Sequence, residues 1–253
     1  MGERTSHAPG TFSWADLATA DAAGAKAFYT GLLGWETEDN PIPDGGVYTM
    51  ASKGGKSVAA LYSAREDQPT AWNSYVTVAS ADDAAAAAKQ HGGRVEEEAF
   101  DVMDVGRMAV IQDPTGAYLC LWEPRASIGA ERVNETGALT INQLDTTDPE
   151  RAQEFYTGVF GWRFEQVAEG EQQYWGIYNG DRLNAGMMPA VGGVPSHWLV
   201  YFGSDTVDDD AGRIGELGGQ VMVAPMPIPG GRILVAQDPQ GAVFALFSGR
   251  FDD

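Results

Sequence analysis

The sequence is poor in cysteine and contains no long apolar run. Its single cysteine, Cys120, excludes an internal disulfide, which agrees with the reducing environment of the cytoplasm. No apolar stretch approaches the ~18 residues of a membrane-spanning helix. The N-terminal segment MGERTSHAPG lacks the hydrophobic region of a signal peptide. The sequence therefore predicts a cytoplasmic protein without a membrane partner.

Basic residues and histidines are also few. Lysine and arginine number 16 against 36 aspartates and glutamates, and the formal net charge is −20. Because such a charge repels a phosphate backbone, the composition predicts no nucleic-acid partner. The acidic surface has two interpretations: a solvated face, or a field that favours cationic ligands. The three histidines, His7, His91 and His197, do not cluster along the chain.

What the sequence does contain is an internal repeat. The stretch AFYTGLLGWE, which starts at Ala27, returns as EFYTGVFGWR, which starts at Glu154, so that Phe28 and Phe155 are 127 residues apart. Three further segment pairs follow in the same order with shifts of 125 or 126 residues: WNSYV and WLVYF, HGGRV and LGGQV, and GRMAVIQDPTGAYLCLW and GRILVAQDPQGAVFALF. Collinear matches at a nearly constant spacing indicate two homologous domains.

The repeat sets the predicted domain organisation. We expect an N-terminal domain over residues 8–123, a polar, small-residue linker over residues 124–137 and a C-terminal domain over residues 138–250. In the first repeat, Asp21 is placed to cap a helix that Gly34 ends, because apolar residues recur between them at three- and four-residue intervals. Short β-like segments follow before the pattern restarts. Each domain is predicted as strand, helix and three strands, twice over.

Three motif pairs carry a resemblance to a known family: FYTGLLGW and FYTGVFGW, the glycine pairs at Gly92 and Gly218, and DPTGAYLCLW and DPQGAVFALF. They are similar to motifs of the vicinal oxygen chelate superfamily, which includes glyoxalase I, extradiol dioxygenases and fosfomycin- and bleomycin-resistance proteins. Within it, the chain looks like tandem-domain proteins of the "glyoxalase family" or "hydroxylase" type. The resemblance implies an α+β fold of two tandem domains, each of paired βαβββ modules that form a cupped mixed sheet.

The resemblance also implies a metal site, and the sequence lacks its ligands. Metal enzymes of this superfamily hold a divalent ion with His, Glu or Gln from the first strand of each module and with Glu from the last strand. Counting along the strands places Phe12, Asn73 and Cys120 at ligand positions of the first domain, and Leu139, Leu199 and Ala245 at those of the second. The fourth position falls near Ala60 in the first domain and near Met187 in the second. The sequence therefore predicts no metal and no other cofactor.

Two residues would bear on a metal site in a different register. His197 would reach a ligand position after a shift of two residues, but as a lone histidine it has no carboxylate partner in register. Glu123 follows Cys120 by three residues, so it points to the opposite face of the same strand. His7 lies in an N-terminal tail that we expect to be disordered.

Strand alternation selects the side chains that share the concave face with the ligand positions. The predicted ligand-binding residues are Phe12, Trp14, Asp16, Asn73, Tyr75, Tyr118, Cys120 and Trp122 in the first cup, and Gln143 and Tyr201 in the second. Aromatic faces with a few polar groups suit a flat organic ligand. The same side chains could instead close a packed core, and no catalytic residue is assigned.

These patterns favour a metal-independent protein that binds a small molecule, and sequesters or acts on an aromatic or natural-product-like ligand. The alternative is a lyase, isomerase or oxygenase, which would need an unrecognised metal site or metal-free acid–base chemistry by Asp16 or Tyr75. A third possibility is a structural role in which both cups are closed cores. The protein is expected as a monomer with paired domains or as a homodimer.

Overall fold

The computed structural model describes residues 2–43, 45–168 and 173–251. The first half of the chain contains two helices and eight strands: β1 Phe12–Thr19, α1 Ala22–Leu33, β2 Glu36–Pro41, β3 Val47–Lys53, β4 Lys56–Ser63, β5 Ala71–Thr77, α2 Ala81–Gln90, β6 Arg94–Val102, β7 Gly106–Gln112 and β8 Tyr118–Pro124. The second half repeats them: β9 Leu139–Thr146, α3 Pro149–Phe160, β10 Arg163–Ala168, β11 Tyr174–Asn179, β12 Arg182–Pro189, β13 His197–Gly203, α4 Val207–Glu216, β14 Gln220–Ile228, β15 Gly231–Gln237 and β16 Val243–Gly249.

Each half forms one mixed eight-stranded sheet, as the sequence predicts. The strand orders are β2-β3-β4-β1-β5-β8-β7-β6 and β10-β11-β12-β9-β13-β16-β15-β14. Two βαβββ modules meet at the centre of each sheet, where β1 runs antiparallel to β5 and β9 runs antiparallel to β13. The fold class is therefore confirmed: two tandem α+β domains, each made of paired modules.

Local sequence determines where the first helix begins and ends. The Asp21 side chain accepts a hydrogen bond from the backbone N–H of Gly24, and Gly34 ends the helix with a φ of 69°. Along α1, an apolar stripe at helical spacing is buried: Ala25, Phe28, Tyr29, Leu32 and Leu33. The second repeat has the same cap at Asp148 and the same left-handed glycine at Gly161.

The repeated motifs meet across the two domains. The Tyr29 hydroxyl, from FYTG of the first repeat, donates to Asp238 Oδ2 of the second at 3.0 Å. Reciprocally, the Tyr156 hydroxyl donates to Asp113 Oδ2 at 2.9 Å. These four side chains are at most 4% exposed. The duplicated FYTG and DPxG motifs therefore join the domains through two equivalent buried hydrogen bonds.

Tryptophans complete both contacts. Trp72 Nε1 donates to the Tyr29 hydroxyl at 2.9 Å, and Trp198 Nε1 donates to the Tyr156 hydroxyl at 2.8 Å. The tryptophans that follow Gly34 and Gly161 also donate hydrogen bonds to carbonyl oxygens distant in sequence. Trp35 Nε1 donates to Gly137 at 2.6 Å, and Trp162 Nε1 donates to Gly10 at 2.8 Å. Polar and aromatic side chains of both domains thus meet at two equivalent places in the interface.

The N-terminal segment and the linker are packed onto this interface. His7 Nε2 lies 2.7 Å from the carbonyl oxygen of Ala130, and the backbones of Glu3 and Arg132 form an isolated antiparallel β-bridge. The expectation of a disordered tail around His7 is therefore wrong, because linker carbonyls provide the segment with hydrogen-bond partners. Within the described residues, no helix is both long enough and apolar enough to cross a membrane.

Candidate functional site

A buried carboxylate organises the first cup, which is the concave face formed by Trp14, Asp16, Tyr48, Tyr62, Asn73, Tyr75, Cys120 and Trp122. Asp16 is 2% exposed and accepts three hydrogen bonds. Asn73 Nδ2 donates to Oδ1 at 2.9 Å, while the hydroxyls of Tyr48 and Tyr75 donate to Oδ2 at 2.9 and 2.8 Å. Trp14 Nε1 donates in turn to the Tyr48 hydroxyl at 3.0 Å. This network fixes the side chains of three strands around one carboxylate.

Burial controls the protonation of this network. Desolvation raises the pKa of Asp16, and the hydrogen bonds from Asn73, Tyr75 and Tyr48 oppose that rise. Burial and the nearby Asp16 charge raise the pKa values of the Tyr48 and Tyr75 hydroxyls well above their usual range. The same two causes raise the pKa of the Cys120 thiol. The phenols and the thiol therefore stay neutral at physiological pH.

Most of the side chains predicted for the first cup come together, but Phe12 does not. A bulge interrupts the pairing of β1 with β5 between Phe12 and Trp14, and it turns the Phe12 ring toward the second domain. There the ring lies 5.6 Å from Trp162 and 4.9 Å from Trp198, between ring centroids. The placement of Phe12 in the cup is therefore wrong, because the bulge breaks the two-residue alternation.

The last strand supplies three of the predicted residues. Cys120 pairs with Tyr75 across β8 and β5 and is buried. Trp122 is 8% exposed, and its ring lies so close to Gly106 that a β-carbon there would overlap it. Tyr118, at the start of β8, is 55% exposed. Trp122 and Cys120 thus belong to the wall of the cup, whereas Tyr118 lies at the exposed end of its strand.

The second cup is the concave face formed by Ile141, Gln143, Asp145, Tyr174, Leu199, Tyr201, Ala245 and Phe247. The two residues predicted there are in contact, since the Tyr201 hydroxyl donates to Gln143 Oε1 at 3.1 Å. Gln143 Nε2 donates onward to Asp145 Oδ1 at 2.7 Å. His197 Nε2 lies 4.0 Å from Asp145 Oδ2. A polar chain therefore runs from the middle of the cup to its rim.

His197 does have a carboxylate partner, contrary to the prediction. Asp145 is opposite His197 in the pairing of β9 with β13. Glu123 is not involved, because its Oε2 accepts from the backbone N–H of Ala81 at the start of α2, on the other face of the first sheet. The position predicted near Met187 belongs to its neighbour Gly186, which pairs with Gln143, while Met187 itself is fully buried.

Sequence reasoning missed the tyrosines of the outer strands. Tyr48 and Tyr62 come from β3 and β4, and their rings stack with centroids 6.0 Å apart. Tyr174 is the counterpart of Tyr48 at a shift of 126 residues, and its pKa is raised to about 12 by burial and by the Asp145 charge. The recurrence of a tyrosine at this position of both repeats is the sequence feature that could have identified these residues.

Neither cup offers a donor set that fits a divalent metal. Asp16 already accepts three hydrogen bonds, and burial favours the protonated Cys120 thiol, which is a poor metal ligand. In the second cup, the Gln143 carbonyl oxygen accepts from Tyr201, so Asp145 and His197 remain as two donors. Over residues 2–43, 45–168 and 173–251, no group of three or more His, Cys, Asp or Glu side chains could hold a metal ion.

A surface cavity of about 260 Å³ lies outside both cups, in the seam between the domains. It is bordered by Leu32 and Leu33 at the end of α1 and by Asp209 and Arg213 of α4. Arg213 donates to the carbonyl oxygen of Gly31 at 2.6 Å and to Asp210 at 3.0 Å, so the polar groups here hold the two helices together.

Comparison with known proteins agrees with this fold. Residues 11–121 match the model of the Glyoxalase/Bleomycin resistance protein/Dioxygenase superfamily, and residues 142–247 match a glyoxalase-like domain. The chain is 44% identical over 255 residues to the "Putative glyoxylase CFP32" of Mycobacterium tuberculosis, covering 97% of each chain. The chain therefore belongs to the glyoxalase, bleomycin-resistance and dioxygenase superfamily.

A second relative and a solved structure widen the comparison. The chain is 32% identical over 259 residues to the "Anthracycline biosynthesis protein DauV" of Streptomyces sp. (strain C5), covering 96% of this chain and 94% of that one. The Mn(II)-bound glyoxalase from Novosphingobium aromaticivorans superposes with a TM-score of 0.68 at 16% identity, covering 100% of this chain and 86% of that one. The structural likeness shows the shared fold.

The raised pKa of Asp16 gives a pH-dependent expectation. Because the folded state holds this proton more tightly than the unfolded state, stability is lost as the pH rises from the ordinary carboxyl pKa through the raised one. Replacing Asp16→Asn removes this contribution. We therefore expect the free energy of unfolding of the variant, relative to the wild type, to rise as the pH increases from the ordinary carboxyl pKa through the raised pKa of Asp16. Urea unfolding of both proteins measures it, and a difference independent of pH would contradict the burial effect.

Proposed function

We propose that the first cup binds a flat aromatic small molecule, and that it does so without the divalent metal of the family's enzymes. The Asp16 network carries this proposal. One buried carboxylate positions Trp14, Tyr48 and Tyr75, so the aromatic wall is held in place before any ligand arrives. A wall fixed in advance loses little side-chain entropy on binding.

The accessibility of the two faces of the sheet supports a ligand-facing wall. Trp14 and Trp122, on the concave face, keep 7% and 8% of their surface exposed. Leu17 and Leu121, on the opposite face of the same strands, have 0% exposed. Both indole rings are buried, and their small exposed remainder marks the side of the network at which a ligand would stack, whereas the other face of the sheet is closed by packing.

A polar contact adds specificity. The Tyr62 hydroxyl accepts hydrogen bonds from Gln68 Nε2 at 2.8 Å and from Asn73 Nδ2 at 3.2 Å. A phenol that accepts two hydrogen bonds still has its own proton to donate. This proton suits a carbonyl oxygen on the ligand, so we place aromatic carbonyl compounds, such as hydroxyquinones, first among the ligand classes. A relative named as an anthracycline biosynthesis protein supports the same class.

The hydrogen bonds between the two domains also favour a monomeric protein. Each FYTG motif bonds the DPxG motif of the other domain, so the chain satisfies both motifs within itself. We therefore propose a monomer with intramolecular domain pairing in place of a homodimer, in the cytoplasm, with a small molecule as its partner.

An enzyme remains the second candidate, because a 44% identical relative is named a glyoxylase. The Tyr75 hydroxyl donates to Asp16 Oδ2, and Asp16 accepts two further hydrogen bonds, so the titratable atoms of both residues are engaged within the network. Asp145 and His197 at the rim of the second cup are more accessible. Turnover of a 2-oxoaldehyde by metal-depleted protein, abolished in His197→Gln, would favour this candidate.

The test of ligand class is calorimetric titration with dihydroxyanthraquinone and with a fully saturated tricyclic diketone of the same carbon skeleton. We expect one dihydroxyanthraquinone per chain, and no heat of binding from the puckered analogue, because a puckered ring system cannot stack on an indole face. Equal binding of the two compounds would show that shape and stacking do not select the ligand. Absence of binding by either would support closed cores in both cups.

A further inference from the structure

Two hydrogen-bond acceptors face each other at the rim of the second cup. His197 Nδ1 lies 3.0 Å from the carbonyl oxygen of Pro195, which can only accept, so Nδ1 carries the ring proton. In the neutral imidazole, Nε2 is then an unprotonated acceptor. It lies 4.0 Å from Asp145 Oδ2, beyond hydrogen-bond distance. The pair thus places two electron-rich atoms near each other without a hydrogen bond between them.

Neighbouring groups fix the Asp145 carboxylate in this orientation. Its Oδ1 accepts from Gln143 Nε2 at 2.7 Å, and Gln143 is oriented in turn by the Tyr201 hydroxyl at 3.1 Å. In the part of the chain that the structure describes, the ion-pair partner of Asp145 is His197, with no lysine or arginine within salt-bridge distance. Asp145 therefore keeps one outward-facing oxygen for a cation from outside the chain.

The spacing of the two acceptors identifies the kind of cation. A nitrogen about 3 Å from each acceptor would see them at close to a right angle, which is within reach of the tetrahedral N–H directions of an ammonium group. A metal ion would need further donors, and the cup does not supply a third. We propose that Asp145 and His197 bind the primary ammonium group of a small molecule whose aromatic part lies against Tyr174 and Tyr201.

The first cup provides an internal comparison. Ala18 and Ala71 are paired in the first sheet as Asp145 and His197 are paired in the second. An ammonium site would therefore belong to the second cup alone, and it is separate from the aromatic site proposed around Asp16. The net charge of −20 adds a general attraction for cationic ligands.

Protons compete with the ammonium group for this site, because burial raises the pKa of the Asp145 carboxyl, while the hydrogen bond from Gln143 opposes that rise. The other titratable groups that face the pair are Tyr174 from β11 and Tyr201 from β13, and burial raises the pKa of both hydroxyls, so they stay neutral. Binding is therefore expected to weaken as the pH falls toward the raised pKa of Asp145.

The experiment uses tyramine as the cationic probe and tyrosol, its alcohol analogue, as the neutral probe. With three histidines in the chain, the imidazole Cε1–H signals are few enough to assign in an NMR titration. Tyramine is expected to shift the His197 signal and leave His7 and His91 unchanged, while tyrosol shifts none of them. Equal shifts from both probes, or no shift from tyramine, would overturn the proposal.

Charge variants separate a built site from diffuse attraction. Asp145→Asn keeps the shape of the side chain and removes its charge, so tyramine affinity is expected to fall about tenfold or more. Asp181→Asn, in the exposed turn between β11 and β12, removes the same charge elsewhere on the domain and should leave the affinity unchanged. Equal losses in the two variants would show nonspecific attraction only. Binding of dihydroxyanthraquinone, which tests the first cup, is expected to be unchanged in both.

Discussion

Replacing Trp14→Ala or Trp122→Ala is expected to weaken binding of dihydroxyanthraquinone by about tenfold or more in each variant. Each indole lies on the concave face of the first sheet and is 7% or 8% exposed, so the proposed ligand would stack where the rings reach the surface. Removing one ring deletes a stacking face, and removing Trp14 also deletes the donor to the Tyr48 hydroxyl. Calorimetric titration gives the affinity and stoichiometry of each variant directly.

Phe12 supplies a control that distinguishes the cup from general packing. It lies on the same strand as Trp14, but the bulge turns its ring toward Trp162 and Trp198. Phe12→Leu is therefore expected to lower stability and leave ligand affinity unchanged. Trp122→Phe, which keeps an aromatic face, should retain most of the binding if Trp122→Ala folds poorly. Affinity that falls in Phe12→Leu as much as in the tryptophan variants would contradict the placement of the ligand.

Replacing Tyr29→Phe or Tyr156→Phe is expected to destabilise the whole chain by about 2 kcal/mol each. Each hydroxyl is buried, donates to an aspartate of the other domain and accepts from a tryptophan Nε1. Its removal leaves a buried carboxylate and an indole N–H without this partner. Urea unfolding followed by fluorescence and by circular dichroism measures the loss.

Combining the two tyrosine changes tests whether the domains unfold together. The two hydrogen-bonded groups are separate, so the losses in the double variant are expected to add. Tyr178→Phe, at the β11–β12 hairpin, removes a hydroxyl outside the interface and should change stability by less than about 0.5 kcal/mol. Two separate unfolding transitions in the wild type, or equal effects of all three single changes, would contradict a shared interface.

The repeat made the fold predictable because both copies report the same element boundaries. Asp21 and Asp148 cap their helices, and Gly34 and Gly161 end them with left-handed backbone, all at matching positions. The sequence did not reveal the structural role of the repeated FYTG motif. FYTG and DPxG lie far apart along the chain, so their reciprocal hydrogen bonds emerge only when the domains are packed.

Strand alternation predicted much of the first cup. Asp16, Asn73 and Tyr75 share a face and bond one another, as two-residue periodicity requires. The prediction for Phe12 was wrong because a bulge shifts the alternation of side chains along β1 by one residue. A bulge in so short a strand has no clear signature in the sequence.

Pairing between strands limited the prediction of the second cup. His197 and Asp145 belong to different strands, and counting along one strand does not give the residue that lies opposite. Tyr48 and Tyr174 were overlooked for a related reason, since they reach the cups from outer strands whose order in the sheet follows from topology.

The central claim is aromatic binding without a metal, and one measurement tests it most directly. Protein dialysed against a chelator is titrated with dihydroxyanthraquinone, before and after reloading with Mn(II), Fe(II), Co(II) or Ni(II), and its metal content is analysed in parallel. We expect the same affinity and one ligand per chain in every sample, with metal content near zero before reloading. Binding that appears only after a stoichiometric metal is restored would contradict the claim and make a metal-dependent lyase or oxygenase the better description.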